Sequence, residues 1–306
     1  MKVLVTGGAG FIGSHIVEHF SGRAESVRVL DDLRTGYRRN LEGLDCEFFE
    51  GSVLDRDLVG KAMEGVDYVF HLAAMISVPE SMREPVECER LNSIGTLIVL
   101  EEAARAGVKK LCFSSSAANY GDNPTVPKTE EMTPEPKSPY AITKLAGEYY
   151  CETFSREGWL DTAVMRYFNV FGPRQDPKSA YAAAVPIFID LALANEPIAI
   201  FGDGGQTRDF VFVKDVVAAN VFLATHETGR GCYNVAYGGC RTINELARRI
   251  VDLTGSSSEI RYEAERAGDV RHSMASIEKI KALGFVSRYD FDGGLSATID
   301  YFRALR

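Results

Sequence analysis

The chain has 306 residues, 45% of them apolar and 25% charged, with a formal net charge of −9. That length predicts about two domains of roughly 150 residues each, and the composition excludes a disordered chain, a collagen-like repeat and a small disulfide scaffold. The acidic balance argues against a general nucleic-acid binder and against docking on an anionic membrane surface, so recognition of a phosphate has to be local.

Met1-Lys2-Val3-Leu4-Val5 opens directly into an apolar strand, too short for the hydrophobic stretch of a signal peptide. No run of about 18 apolar residues follows that would span a bilayer. The cysteines Cys46, Cys88, Cys112, Cys151, Cys232 and Cys240 form no CxxC pair and several lie in apolar runs, the pattern of a reduced, cytoplasmic protein. Short β-rich runs at Val3–Val5, Val27–Leu30, Glu47–Phe49, Tyr68–Phe70 and Lys110–Phe113 are separated by about 20 to 40 residues, enough for a crossover helix each time. Continuous apolar runs suit strands buried on both faces, and a βαβ series predicts a parallel sheet with helices on both sides.

After the first strand comes Thr6-Gly7-Gly8-Ala9-Gly10-Phe11-Ile12-Gly13, a GxxGxxG pattern that opens a helix. Gly7 permits the tight turn, Gly10 lets the backbone approach a pyrophosphate, and Gly13 allows close helix packing. The helix N-terminus offers free N–H groups and positive dipole to phosphates. With strand, helix and an acid at the end of the second strand (Asp31) in place, the pattern predicts dinucleotide binding in a doubly wound, Rossmann-like α/β sheet. Asp31 suits ribose hydroxyls and repels a 2′-phosphate, which favours NAD over NADP. Arg34, Arg38 and Arg39 just beyond read as a solvated basic turn. In the same helix His15-Ile16-Val17-Glu18-His19 matches the HxxEH zinc string. No third ligand has a recognisable setting, so no metal is expected.

Two groups of chemically active residues follow. Ser114-Ser115-Ser116 places three hydroxyls at the C-terminal end of an apolar strand, where parallel sheets bind ligands. Tyr140-Ala141-Ile142-Thr143-Lys144 begins a helix entered through Ser138-Pro139, and its spacing puts phenol and ammonium on one face. A cation beside a phenol lowers its pKa toward neutrality, which suits a general base for a hydroxyl group. After Phe171 the rhythm changes. Gly172-Pro173-Arg174-Gln175-Asp176-Pro177 breaks the chain, a helix is expected from about Ala180 to Ala194, a loop runs through Gly202-Asp203-Gly204-Gly205, and a strand and helix span Phe210 to Thr225. A strand at Cys232–Val235 and a closing helix near Ala297–Ala304 complete the chain. With no internal repeat or low-complexity linker, the second part is expected to be woven against the first across a cleft.

Glycine loop, serine run and YxxxK in this order resemble the extended short-chain dehydrogenase/reductase family, and further matches are His71-Leu72-Ala73-Ala74, Asn92-Ser93-Ile94-Gly95-Thr96 and Arg166-Tyr167-Phe168-Asn169. The resemblance covers essentially the whole chain. It implies that Tyr140 is the base, that Lys144 holds the nicotinamide ribose and tunes Tyr140, and that Ser116, four residues before Tyr120 of Tyr120-Gly121, bonds the reacting oxygen. It also implies NAD contacts from Gly7, Gly10, Phe11, Ile12, Gly13, Asp31, Asp32, Ser52, Val53, Leu72, Ala73, Ala74, Asn92, Ser114, Tyr140, Lys144 and Tyr167. Implied substrate contacts are Ser77, Ser116, Asn169, Ala184, Val185, Arg208, Arg266, Asp269 and Ser273. Ser52 stands where the family usually has an adenine-binding Asp, Ile76 where some UDP-glucose enzymes have Lys, and Ala267 where Glu is frequent. Residues 1–171 with 214–240 are expected to form the NAD-binding Rossmann domain, and 172–213 with 241–306 a smaller, interleaved α/β lobe for a UDP-sugar. A homodimer through the helix near Leu91–Ala106 and the Tyr140 helix is also implied.

The residues after Ser116 bear on the reaction. Related dehydratases and decarboxylases carry a carboxylate there; this chain has Ala117-Ala118-Asn119. With Tyr140 alone to move a proton, the simplest chemistry is oxidation and re-reduction at one carbon, as in the UDP-glucose 4-epimerase branch. Arginines at 208 and 266 suit bidentate pairing with phosphate, and Asp269 can accept from a ribose hydroxyl; Arg271 either touches phosphate or braces the loop. Ser273 stands where UDP-glucose-restricted epimerases have a large Tyr beside C2, opening room for a 2-acetamido group. The expectation is therefore C4 epimerisation of UDP-N-acetylglucosamine and UDP-N-acetylgalactosamine. A UDP-glucose 4-epimerase, a UDP-glucuronate 4-epimerase and a non-catalytic NAD sensor are the alternatives.

Overall fold

A computed structural model describes residues 1–177, 183–265 and 271–306. Six strands, β1 (Lys2–Thr6), β2 (Ser26–Asp31), β3 (Glu47–Glu50), β4 (Tyr68–His71), β5 (Lys110–Ser116) and β6 (Asp161–Tyr167), share one sheet with Gly231–Val235. The order is Gly231–Val235, β6, β5, β4, β1, β2, β3. Each pair from β6 to β3 is parallel. The winding reverses between β1 and β4, so the loops leaving their C-terminal ends diverge and open the crevice where such sheets bind ligands.

Parallel neighbours need long crossovers, and helices at Phe11–Phe20, Arg56–Met63, Gly95–Arg105 and Pro139–Arg156 supply them. Val3, Leu4 and Val5 are fully buried, as the continuous apolar run requires. Leu30, Leu4, Val69, Leu111 and Val164, one from each of five adjacent strands, pack with Val99 and Phe154 of the helices. Burying each such side chain contributes about 1.5–3 kcal/mol, and this core holds the strand ends in fixed register.

The chain divides into two compact units. One comprises Met1–Gly121, Glu130–Tyr167 and Val217–Asn234; the other comprises Asp122–Thr129, Phe168–Val216 and Val235–Arg306. Residues 122–129 go with the second because the Lys128 N–H bonds the Met274 carbonyl and the Ser276 N–H bonds the Lys128 carbonyl, both at 2.8 Å. In this unit Val170–Phe171 pairs in parallel with Val211–Phe212 and Ile198–Phe201 with Ile260–Glu263, while Thr207–Arg208 runs antiparallel to Arg241–Thr242. Phe171 packs 5.6 Å from Phe212 and 5.8 Å from Phe291, centroid to centroid.

Two helix boundaries differ from expectation. The final helix starts at Phe291 rather than near Ala297, because the Asp290 carboxylate caps the Gly293 N–H at 2.7 Å. Of the helix expected from Ala180, Ala184–Ala194 is helical; residues 178–182 lie outside the described residues.

Candidate active site

The loop after β1 is built by close backbone approach. Gly7 has φ +70°, and a Cβ there would strike the Ala73 nitrogen at 2.7 Å. The loop after β4 is tied down in turn, since the Leu72 N–H bonds the Thr6 carbonyl and the Ala73 N–H bonds Thr6 Oγ1 at 3.3 Å. A Cβ at Gly13 would collide with the Gly7 carbonyl, so the helix packs directly on the loop. Gly10 is the N-cap of Phe11–Phe20 with no side-chain cap, and apart from the Gly7 carbonyl a Cβ at Gly10 meets nothing within 4 Å. These features fit a pyrophosphate held on backbone N–H groups of Phe11 and Ile12.

Asp31 ends β2 with each carboxylate oxygen on a backbone N–H, Ala9 at 2.9 Å and Leu33 at 2.8 Å. Burial pushes its carboxyl up from the usual range, and the two N–H bonds oppose the shift. Asp32 is exposed and accepts the Arg34 N–H. The basic turn is not merely solvated. Arg34 pairs with Glu80 at 3.1 Å and Glu87 at 3.5 Å, Arg38 with Glu50 at 2.8 Å, and Arg39 stacks on Tyr37. After β3, Ser52 Oγ accepts the Leu54 N–H, and buried Val53 fills the space beside Gly95.

His71 and Asn92 brace this region. His71 is buried between Thr6 Oγ1 at 2.7 Å and Thr96 Oγ1 at 2.9 Å, and desolvation, with the Lys144 charge, pulls it down to about 3, so it is neutral. Asn92 lies in a π-helical turn, Arg90–Ile94, a feature common at functional sites. It bonds the Met75 N–H and carbonyl, and Thr143 Oγ1 on the tyrosine helix at 3.0 Å. Ala74 stands between these anchors. Ser77 caps the Val78–Arg83 helix by accepting the Glu80 N–H, a bond that uses a lone pair and not its proton.

Helix Pro139–Arg156 begins as its sequence requires, with Ser138 capping the Ala141 N–H at 3.2 Å and Pro139 in the first turn. Lys144, 4% exposed, donates to the Ser114 carbonyl at 2.8 Å and lies 5.1 Å from the Phe113 ring centre. Burial lowers its pKa to about 8. The Ser116 hydroxyl faces the Tyr140 phenol and favours its ionised form. Ser116 Oγ also accepts the Ala118 N–H at 3.1 Å, so its single proton remains for the phenol or for a substrate oxygen.

The three serines do not act alike. Strand alternation turns Ser115 into the core beside Phe113, while Ser114 and Ser116 share the other face. The Tyr167 hydroxyl meets Asn220 at 3.0 Å. The expected lowering of the Tyr140 phenol by Lys144 is not what these side chains produce. Burial raises the phenol, the nearby Ser116 hydroxyl opposes that rise, and the Lys144 ammonium donates to the Ser114 carbonyl.

In the second unit, Asn169, Arg208 and Ser273 are anchored on the Thr207–Asp209 segment, whose buried acid sequence reasoning missed. Asp209 is fully buried, and its carboxylate accepts N–H bonds from Tyr237 at 2.8 Å, Gly238 at 3.2 Å and Ala275 at 3.1 Å. Burial pushes it up to about 6 despite these donors. Its carbonyl accepts Asn169 Nδ2 at 3.3 Å, and the neighbouring Thr207 carbonyl accepts the Ser273 N–H at 3.1 Å. Arg208 is half-buried and donates to the Thr207 carbonyl at 2.8 Å. Arg271 braces the loop, pairing with Asp203 at 2.8 Å. Ala184 opens a helix with no side-chain cap, and Val185 beside it is buried in the core. Arg266 and Asp269 lie outside the described residues.

Among the described residues no group of three or more His, Cys, Asp or Glu could hold a metal ion, and no helix is long and apolar enough to cross a membrane. His15 of the HxxEH string pairs with Glu18 at 3.5 Å.

The model of the NAD-dependent epimerase/dehydratase family matches residues 3–236. The UDP-glucose 4-epimerase of Mycolicibacterium smegmatis is 37% identical over 310 residues, covering 99% of both chains. Among solved structures, the UDP-glucose 4-epimerase of Thermotoga maritima with UDP-glucose is 42% identical with a TM-score of 0.94, covering 100% of this chain and 99% of that one. The UDP-N-acetylglucosamine 4-epimerase of Methanobrevibacter ruminantium, in complex with UDP-N-acetylmuramic acid, is 39% identical with a TM-score of 0.95 at the same coverage.

Proposed function

Because the chain belongs to the NAD-dependent epimerase/dehydratase family, we propose that it interconverts the C4 epimers of a UDP-sugar, with UDP-N-acetylglucosamine and UDP-N-acetylgalactosamine as preferred substrates. The observation that carries the reaction is the Ser116–Tyr140–Lys144 group with no carboxylate among the three residues after Ser116. A dehydratase or decarboxylase needs a second acid or base; epimerisation needs one proton carrier that works in both directions.

Bound NAD would supply the hydride acceptor and donor for C4. Phe11 and Ile12 would hold its pyrophosphate, Asp31 its adenosine ribose, and Lys144 its nicotinamide ribose. Tyr140 accepts the proton of the sugar's 4-hydroxyl and gives it back to the C4 oxygen once the 4-keto sugar has turned its other face to the cofactor. Ser116 donates to the same oxygen. Lys144, whose pKa burial lowers to about 8, is held on the Ser114 carbonyl one helical turn from Tyr140.

Asn169, Arg208 and Ser273 are assigned to the substrate. Their support is their shared anchorage on the Thr207–Asp209 segment and the arginine's suitability for phosphate. The small Ser273 favours the acetamido sugar. A homodimer is also proposed, supported by exposed apolar side chains at Ile94, Ile142 and Tyr149 on the two helices named above. The cell interior is the proposed location.

The test is incubation of purified protein with UDP-N-acetylglucosamine, UDP-glucose and UDP-glucuronate separately, without added NAD, and resolution of the C4 epimers. Turnover of the acetamido sugar above the others supports the reading. Conversion of none of them overturns it.

A further inference from the structure

Tyr140, Lys144 and Glu148 follow at four-residue intervals along the Pro139–Arg156 helix, which lines them up on one face. Each meets one of three successive serines at the end of β5. The Ser116 hydroxyl faces the Tyr140 phenol, the Ser114 carbonyl accepts Lys144, and the Ser115 hydroxyl donates to Glu148 Oε1 at 2.5 Å. The third rung touches no reacting atom. We propose that Ser115 and Glu148 form a positioning pair that fixes the Ser116 hydroxyl against the Tyr140 phenol and so governs the rate of the proposed proton transfer. The inference rests on the function assigned above.

Glu148 is 6% exposed and accepts four hydrogen bonds. Besides Ser115 these come from Asn119 Nδ2 at 2.8 Å, Arg166 Nε at 2.9 Å and Arg166 Nη2 at 2.6 Å. Ser115 directly precedes Ser116, and Asn119 lies within the 3₁₀ turn Ala117–Tyr120 that Ser116 caps. One carboxylate therefore holds both ends of the segment carrying the Ser116 hydroxyl. Arg166 is opposite Ser115 in the β5–β6 register, and its planar fork orients the carboxylate.

A buried ion pair is a poor device for stability alone, because apolar residues of similar volume often serve as well. What this one supplies is direction. Gly147 lets the helix close on Phe113, since a Cβ there would run into the ring, and Ser115 faces the helix beside it. The catalytic turn is thus set against the catalytic helix by Glu148 as well as by Tyr140.

The test compares Ser115→Ala and Ser115→Thr. Ser115→Ala leaves Glu148 its other partners and is expected to lower kcat about tenfold, with KM and bound NAD unchanged. The acidic limb of the kcat–pH profile should move upward, because a phenol that loses an aligned donor is a weaker acid. Ser115→Thr keeps the hydroxyl and should retain both properties. Unchanged kcat and pH profile in Ser115→Ala, or equal impairment in both variants, would overturn the proposal. A second readout does not need turnover: the phenolate absorbance of Tyr140, taken as the difference from the matching Tyr140→Phe protein, should titrate higher in Ser115→Ala. If the wild type epimerises nothing, the assigned function fails while this titration still decides on the pair, and identical curves overturn it.

Discussion

Lys144 donates to the Ser114 carbonyl at 2.8 Å, and its ammonium stands 6.0 Å from the centre of the Tyr140 ring. Burial lowers the lysine from 10.5 to about 8. A folded pKa below the unfolded value means that the native state binds fewer protons between those two limits. The destabilisation from burying the charge is therefore complete below about pH 8 and is relieved as pH rises toward 10.5. Lys144→Met should remove a pH-dependent stability gain of roughly 3 kcal/mol across that window. Denaturant unfolding of both proteins at pH 7.5 to 10.5 measures it, and parallel stability curves would contradict the assignment.

Tyr140→Phe should reduce epimerisation by about 10²–10⁴-fold, the usual contribution of a positioned acid or base. Bound NAD should stay, since the glycine loop and Asp31 are untouched. Wild-type turnover in this variant would show that another group moves the proton.

Asp31→Asn preserves shape but removes the charge that holds two N–H groups, and one amide nitrogen then faces a donor. Loss of a charge-assisted bond of about 1.5–3 kcal/mol corresponds to at least tenfold weaker retention of NAD. The cofactor remaining after desalting, assayed enzymatically, reports the change. Stoichiometric NAD would show that Asp31 only shapes the loop.

Ser273→Tyr should lower kcat/KM for UDP-N-acetylglucosamine relative to UDP-galactose by about tenfold or more, the scale on which a filled pocket rejects a larger substituent. Equal losses on both sugars would separate Ser273 from the acetyl group.

Much of this was legible in the sequence because it depends on neighbours. The Gly7–Gly13 loop, the acid ending β2 and the Ser138-Pro139 helix start all act within one turn or one strand end. Strand β6 was missed as a strand because Arg166 sits inside it, and only Glu148 makes a buried arginine tolerable there. The resemblance singled out Ser116, but the inward turn of Ser115 toward Glu148 follows from the pleat and from a partner remote in the chain. The Tyr140 phenol was expected to fall because spacing alone put a cation beside it; burial, which only the fold reveals, raises it instead. Nothing in the sequence marks Asp209, since its partners at Tyr237 and Ala275 are remote in the chain.

Asp209 grips those partners through main-chain amides only. Amides are common to every residue except proline, so the grip is indifferent to which side chains the Tyr237–Gly238 turn and the Ser273–Ala275 segment carry. Drift or directed evolution can therefore rewrite the wall around Ser273 without loosening the hinge-pin that locates it. Substrate range in this scaffold can change by ordinary point substitution, while the loop carrying the change stays where it was.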